Sequence, residues 1–156
     1  MPTITALEDA LIALIKAAAP VKTVESYSGQ LEGDPKDIAK RWPEIIRRWP
    51  AVFVAYGGGA IAPELGEFGG VYGRTLQFDL MVCCRSLRGE AAARRDNTGA
   101  YAILEALRTI LVGKVLTSAV LPLEFQSEEA RSISPDSVIY RAAYTLQLED
   151  QMQQEE

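Results

Sequence analysis

The stretch Arg74-Thr75-Leu76-Gln77-Phe78-Asp79-Leu80-Met81-Val82-Cys83-Cys84-Arg85 decides the fold. Leu76, Phe78, Leu80, Val82 and Cys84 alternate with Thr75, Gln77, Asp79, Met81 and Cys83. Successive side chains of a strand point to opposite faces, so this period of two predicts a strand whose even positions face a core. Just upstream, residues 51–56 hold the near-continuous apolar run Val52, Phe53, Val54 and Ala55, expected of a central strand covered on both faces. Downstream, residues 89–111 form the longest helical pattern, with Ile103, Leu104, Leu107 and Leu111 on one stripe and Glu90 four residues before Arg94. Gly99 is expected to weaken the middle of that helix and Gly113 to end it. At the start of the chain, Ile4, Leu7, Leu11, Leu14, Ile15 and Ala18 recur at helical spacing. Thr3 can cap this first helix and Pro20 stops it.

Shorter signals fill the gaps. Residues 21–27 suit a short, partly exposed strand before Ser28-Gly29, and Gly33-Asp34-Pro35 turns the chain. Residues 36–41 and 44–48 are expected to be short helices, with Pro43 at a first helical position and Pro50 as the stop. Leu121, Leu123 and Phe125 alternate with Pro122, Glu124 and Gln126 as in an edge strand. A polar turn over 132–137 precedes a last strand in which Val138, Tyr140, Ala142, Tyr144, Leu146 and Leu148 face one way. Between the two middle strands lie glycines 57, 58, 59, 66, 69, 70 and 73, with Pro63 among them. This reads as a long, mobile, glycine-rich connection over 57–73, the kind of segment that orders on a partner. The expected architecture is therefore α+β: a mixed or antiparallel sheet of about five strands, two long helices packed on one face, and a long glycine-rich loop. Residues 1–149 form one domain, and the Gln/Glu-rich tail 150–156 is expected to be disordered.

Composition narrows the function. The chain has 156 residues, the size of one domain, and 16 Lys and Arg against 21 Asp and Glu leave a net charge of −5, the wrong sign for a general nucleic-acid binder. There is no histidine, which removes imidazole metal ligands and the His-activated Ser and Cys nucleophiles. The two cysteines, Cys83 and Cys84, are adjacent, so they lack the spacing of a zinc knuckle or a redox pair. No apolar run is long enough for a membrane span, and Glu8 and Asp9 stand where a signal peptide carries positive charge. A cytoplasmic location follows as the expectation.

Site signals are sparse. Gly57-Gly58-Gly59 follows a strand but lacks the Gly-Lys-Ser/Thr of a phosphate loop, so a hairpin arm is the better reading. The carboxylate pairs Glu8/Asp9, Glu128/Glu129 and Glu149/Asp150 are sequence neighbours that point apart, which leaves no acid/base dyad. No catalytic, cofactor or metal-binding residue is assigned. Arg85, Arg88, Arg94 and Arg95 concentrate positive charge before the second long helix, and Lys40, Arg41, Arg47 and Arg48 make another cluster. If identical subunits met head to tail, Arg88, Arg94 and Arg95 of one could face Glu64 and Glu67 in the glycine-rich arm of the next. The candidate interface therefore comprises Gly57, Gly58, Gly59, Glu64, Glu67, Gly69, Gly70, Arg88, Arg94 and Arg95. Tyr140 and Tyr144, at strand spacing, read as core rather than as a stacking platform.

The run Arg94-Arg95-Asp96-Asn97-Thr98-Gly99-Ala100-Tyr101-Ala102-Ile103-Leu104-Glu105-Ala106-Leu107-Arg108 resembles the Mu-like bacteriophage tail terminator (tail completion) proteins. It is preceded by the strand over 77–85 and followed by Leu111-Val112-Gly113, and the opening helix and the 140–149 strand fit the same pattern. The resemblance implies a structural protein that forms a homohexameric ring, caps the tail tube, ends its polymerisation and offers a surface to a neck or head-completion protein. It implies assembly in the host cytoplasm, a place in the virion tail, and DNA passing through the bore without specific binding. No catalysis or cofactor is implied. Other readings are a different head-tail connector, a thiol-dependent or ligand-binding domain using Cys83 or Cys84, and a cytosolic regulator that binds a protein through residues 57–73.

Overall fold

The computed structural model describes residues 3–19, 21–27, 49–61, 67–68, 71–85, 94–95, 99–117, 120–133 and 137–151. The first helix, α1 (Ile4–Ala18), starts where expected, with Thr3 Oγ1 accepting the Ala6 N–H at 3.0 Å, and it buries Leu7, Leu11 and Ile15 one turn apart. The strands are β1 (Thr23–Ser26), β2 (Ala51–Ile61), β3 (Glu67–Phe68), β4 (Val71–Arg85), β5 (Glu124–Ile133) and β6 (Ser137–Gln151), and the second helix is α2 (Ala100–Leu111). They form one sheet in the order β1-β2-β4-β6-β5, with β3 paired to β4. β1 runs parallel to β2 and every other pair is antiparallel, so the sheet is mixed.

The even positions of β4 do face the core. Leu76, Phe78, Leu80, Val82 and Cys84 join Val52 and Val54 of β2, Ala142, Tyr144, Leu146 and Leu148 of β6, and the buried stripes of both helices in one cluster. Both helices thus lie on a single face. Across this face the register aligns Tyr56, Phe78, Tyr144 and Phe125, one aromatic from each of four neighbouring strands. Tyr56 meets Phe78 edge-on at 5.7 Å, and Phe125 meets Tyr144 edge-on at 5.6 Å, the geometry that ring quadrupoles prefer. The other face carries a smaller cluster of Trp49, Ala51, Phe53 and Cys83, with Tyr27, Met81 and Ile139 against it. β2 is therefore covered on both sides, as its unbroken apolar run required.

Four boundaries differ from the sequence expectation, each for a physical reason. The connection over 57–73 is largely strand: β2 continues through Gly57, Gly58 and Gly59 to Ile61, and β4 begins at Val71 and contains Gly73. The glycines build a bulge between Tyr56 and Gly58, where the register to β4 shifts. Gly58 sits at φ 134°, and a Cβ on Gly57 would lie 2.6 Å from Asp79 Oδ2. Glu64, Gly66, Gly69 and Gly70 lie outside the described residues.

Gly99 is not inside a helix. It is the N-cap of α2, a place where glycine is tolerated, and Arg94 and Arg95 belong to a separate helical turn. Gly113 ends α2 as expected, at φ 83°. The edge strand starts three residues later than its alternation suggests, at Glu124, and runs into the expected turn as far as Ile133. Bulges near Gln126 and Arg131 break the alternation, while Leu121 instead donates to the Gln147 carbonyl at 2.8 Å. Finally, β6 reaches Gln151, because Asp150 and Gln151 pair with Tyr72 and Val71 of the arm. Those two residues are ladder and not tail, while 152–156 and the helices expected over 36–48 lie outside the described residues.

Candidate interface

The helix-free face of the sheet divides in two. Near the β1 side it is the apolar patch under Trp49. Over β4, β6 and β5 it is polar and neutralised by pairing: Arg141 donates to Asp79 at 3.0 Å and to Glu129 at 3.1 Å, Gln77 Nε2 donates to Asp79 at 2.9 Å, and Arg131 reaches Glu129 at 3.4 Å. These groups are partly exposed, so their pairing sets surface charge more than stability. Above them, Gly57, Gly58, Gly59, Ala60, Thr75, Gln77 and Thr145 line an open groove of about 290 Å³ that contains no charged side chain. It offers amides, hydroxyls and backbone, but no acid, base or nucleophile.

Cys83 and Cys84 stand on opposite faces of β4, and both are buried. Burial pushes the Cys84 thiol up to about 12 from an ordinary 9.0, and burial together with the neighbouring Cys84 raises Cys83 further. Both therefore stay protonated at neutral pH, the unreactive form. Iodoacetamide at neutral pH is expected to leave both thiols unmodified in the native protein and to alkylate both in denaturant, as read by intact mass. Rapid labelling of the native chain would contradict this burial. Among the described residues no three metal-ligating side chains cluster, and no helix is long and apolar enough to cross a membrane.

The candidate interface residues fall at two ends of the molecule. Gly57, Gly58 and Gly59 lie in β2, and Glu67 lies in β3 opposite Tyr72, at the arm end of β4. Arg94 and Arg95 lie toward the other end, where the Tyr140 hydroxyl bonds both Arg94 and Tyr101. Burial raises the Tyr140 pKa, the Tyr101 bond adds to that, and Arg94 opposes it. Arg94 is partly buried and Arg95 exposed. Tyr72 and Val82, which mark the two ends on β4, are separated by about ten residues of strand, roughly 33 Å, so one subunit does not bring Glu67 to these arginines. Arg88 lies outside the described residues.

Sequence reasoning missed a second set of surface residues. Among the described residues the exposed large hydrophobics are Tyr101, Val112, Val115 and Leu121. Tyr101 opens α2, and the other three surround its end. There the chain is fixed by Gly113 N–H to the Leu123 carbonyl at 2.9 Å and Leu123 N–H to the Lys114 carbonyl at 2.8 Å. Nothing in the spacing of Val112, Val115 and Leu121 distinguishes them from core residues, because the turn that exposes them is set by these long-range bonds.

The chain is similar to known proteins in sequence and in fold. In fold, the chain is similar to a chain in the virion of a native gene transfer agent particle, with a TM-score of 0.50 and 18% identity, over 94% of this chain and 93% of that one. No curated protein matches it. The model of the family described as "Bacteriophage Mu, Gp37" matches residues 3–137. That match takes in α1, all the core strands up to β5 and α2, and on it the chain belongs to the bacteriophage Mu Gp37 family.

Proposed function

We propose that this phage protein is a structural tail component: a homohexameric ring that caps the tail tube, ends its polymerisation and presents the joining surface for a neck or head-completion protein. Family membership carries this reading, and the likeness to a chain of a virion particle supports it. The subunit works by shape. The groove beside Gly57–Gly59 holds no charged group and both thiols are buried, which counts against the thiol-dependent alternative. Assembly takes place in the host cytoplasm and the finished ring stays in the virion tail. DNA passes the bore without specific binding, consistent with a chain of net charge −5 and a polar sheet face whose arginines are paired to carboxylates. The arm built from the ends of β2, β4 and β6 is the element offered to tube or neighbour. The edge strand β5 carries Glu124, Glu128, Glu129 and Arg131 with two bulges, features that discourage unintended strand pairing.

Deleting the gene and imaging the lysate tests the proposal. Abnormally long or headless tails are expected, and virions of normal tail length would overturn it.

A further inference from the structure

The two outer edges of the sheet are defended unequally. β5 carries four charged side chains and two bulges, which blunt it against strand pairing. β2, Ala51–Ile61, contains no charged residue and no proline, and β1 covers only its first part, residues 51–54. The Pro50 and Val54 carbonyls accept from the Lys22 and Tyr27 N–H groups at 2.9 and 2.7 Å. By the period of two, the N–H and C=O of Tyr56 point to that same side, where no described strand lies beyond Tyr27. Gly57, Gly59 and Ala60 are exposed and Gly58 is half-buried. A glycine has no side chain, so its exposure is exposure of the backbone itself. Past the bulge, Gly59 and Ala60 run against Leu76 and Thr75, and beside them lies the uncharged groove with Thr75, Gln77 and Thr145 in its lining.

A bare strand edge recognises one chemistry, another extended backbone, which adds to the sheet through main-chain hydrogen bonds. The same end of the sheet has a second bare edge. Thr75 of β4 stands between Ala60 of β2 and Gln147 of β6, so three strands run side by side there. On the outer side of β6, β5 stops opposite Thr145, Leu121 bonds Gln147, and Val120 bridges Leu148. Past Leu148, residues 149–151 pair with β4 on one edge, and no described strand lies on the other. The two bare edges lie on opposite sides of β4, so they cannot pair within one molecule. We infer that the edge of β2 over 55–61 takes the end of β6, residues 149–151, of a second copy of this chain as an added strand. Two β2 edges meeting each other would close a two-fold dimer, whereas unlike edges make a heterologous contact that repeats from copy to copy. This inference rests on the ring proposed above and specifies its subunit contact.

The test uses the full chain. Ala60 is exposed and outside the core, so Ala60→Lys puts a charge on the edge without opening a cavity. In sedimentation velocity it is expected to weaken self-association at least about tenfold, while Ala60→Thr, which keeps the edge neutral, assembles as the wild type does. In hydrogen exchange, the amides over 55–61 are expected to be protected in the assembled wild type and to exchange freely in Ala60→Lys, with the β4–β6 ladder protected in both. Cross-linking identifies the donor strand, because the native thiols are buried. A short bismaleimide is expected to join a chain carrying Ala60→Cys to one carrying Gln151→Cys, and not to join two chains that both carry Ala60→Cys. Assembly and exchange unaffected by Ala60→Lys, or cross-links only between two Ala60→Cys chains, would overturn this contact and leave the tail role standing. A wild-type chain that stays monomeric at every concentration would overturn the contact too, and the lysate of the deletion strain would then judge the tail role by itself.

Discussion

Truncating Phe78 to alanine is expected to lower the unfolding free energy by about 3–5 kcal/mol, the range for a fully buried aromatic whose cavity cannot collapse. Phe78 is completely buried at the centre of β4, in the main core cluster and in the aromatic row that runs from Tyr56 to Phe125. Its neighbours in that row are held by strand pairing on both sides, so they cannot shift to fill the space. A domain of this kind has roughly 5–15 kcal/mol of stability in total, which makes this a large fraction. Urea denaturation followed by tryptophan fluorescence measures it. Phe78→Leu, which keeps most of the volume, should cost markedly less. A loss below about 1 kcal/mol for the alanine variant would contradict the placement of β4 at the middle of the core.

Alkaline pH should destabilise the protein strongly. The Cys84 thiol is pushed up to about 12 by burial, from an ordinary 9.0. The Tyr144 hydroxyl is pushed to about 12 from 10.0, first by burial and then by the charge of Glu128, with Arg108 acting against the shift. Both are acids that the folded chain keeps protonated. Between pH 9 and 12 the unfolded chain binds fewer protons than the folded one, so stability falls as pH rises through this window and is flat below it. Thermal melts from pH 7 to 11 check the sign and onset. Tyr144→Phe should make the decline shallower, and at neutral pH it should cost little, because the buried Tyr144 hydroxyl has no hydrogen-bond partner among the described residues. A melting temperature unchanged up to pH 11 would show that neither group is enclosed as described.

Much of the fold is legible in local periodicity. The alternation from Leu76 to Cys84 gave the correct core face of β4, the stripe Leu7-Leu11-Ile15 gave α1, and the unbroken run in β2 gave a strand covered on both sides. Boundaries were legible only where a local signal marks them, as at Thr3 and Gly113. They were lost where partner strands decide. Gly57, Gly58 and Gly59 have low intrinsic strand preference, yet they stay extended because β4 pairs with them and because a bulge there needs residues without a Cβ. Asp150 and Gln151 look like tail in sequence and become strand because Val71 and Tyr72 run alongside. The interface is the least legible part. The basic cluster is visible in sequence, but the assignment of Arg94 to Tyr140, and the exposure of Val112, Val115 and Leu121, depend on contacts between segments far apart in the chain.

Gly57 is constrained by what lies across the strand pair. A side chain there would meet the carboxylate of Asp79, the acceptor that Arg141 and Gln77 share. Keeping glycine at this point lets the bulge close against Asp79 without displacing the carboxylate from Arg141 and Gln77.

The central claim is that copies of this chain shut the end of a growing cylinder. Purified protein added to polymerising tail-tube subunits, with tube lengths measured by negative-stain electron microscopy, tests it most directly. Tubes are expected to stop short at amounts far below one chain per tube subunit, with one added disc of density at a single end. Tubes that grow to the same lengths with bare ends, whatever amount of the protein is added, would contradict it.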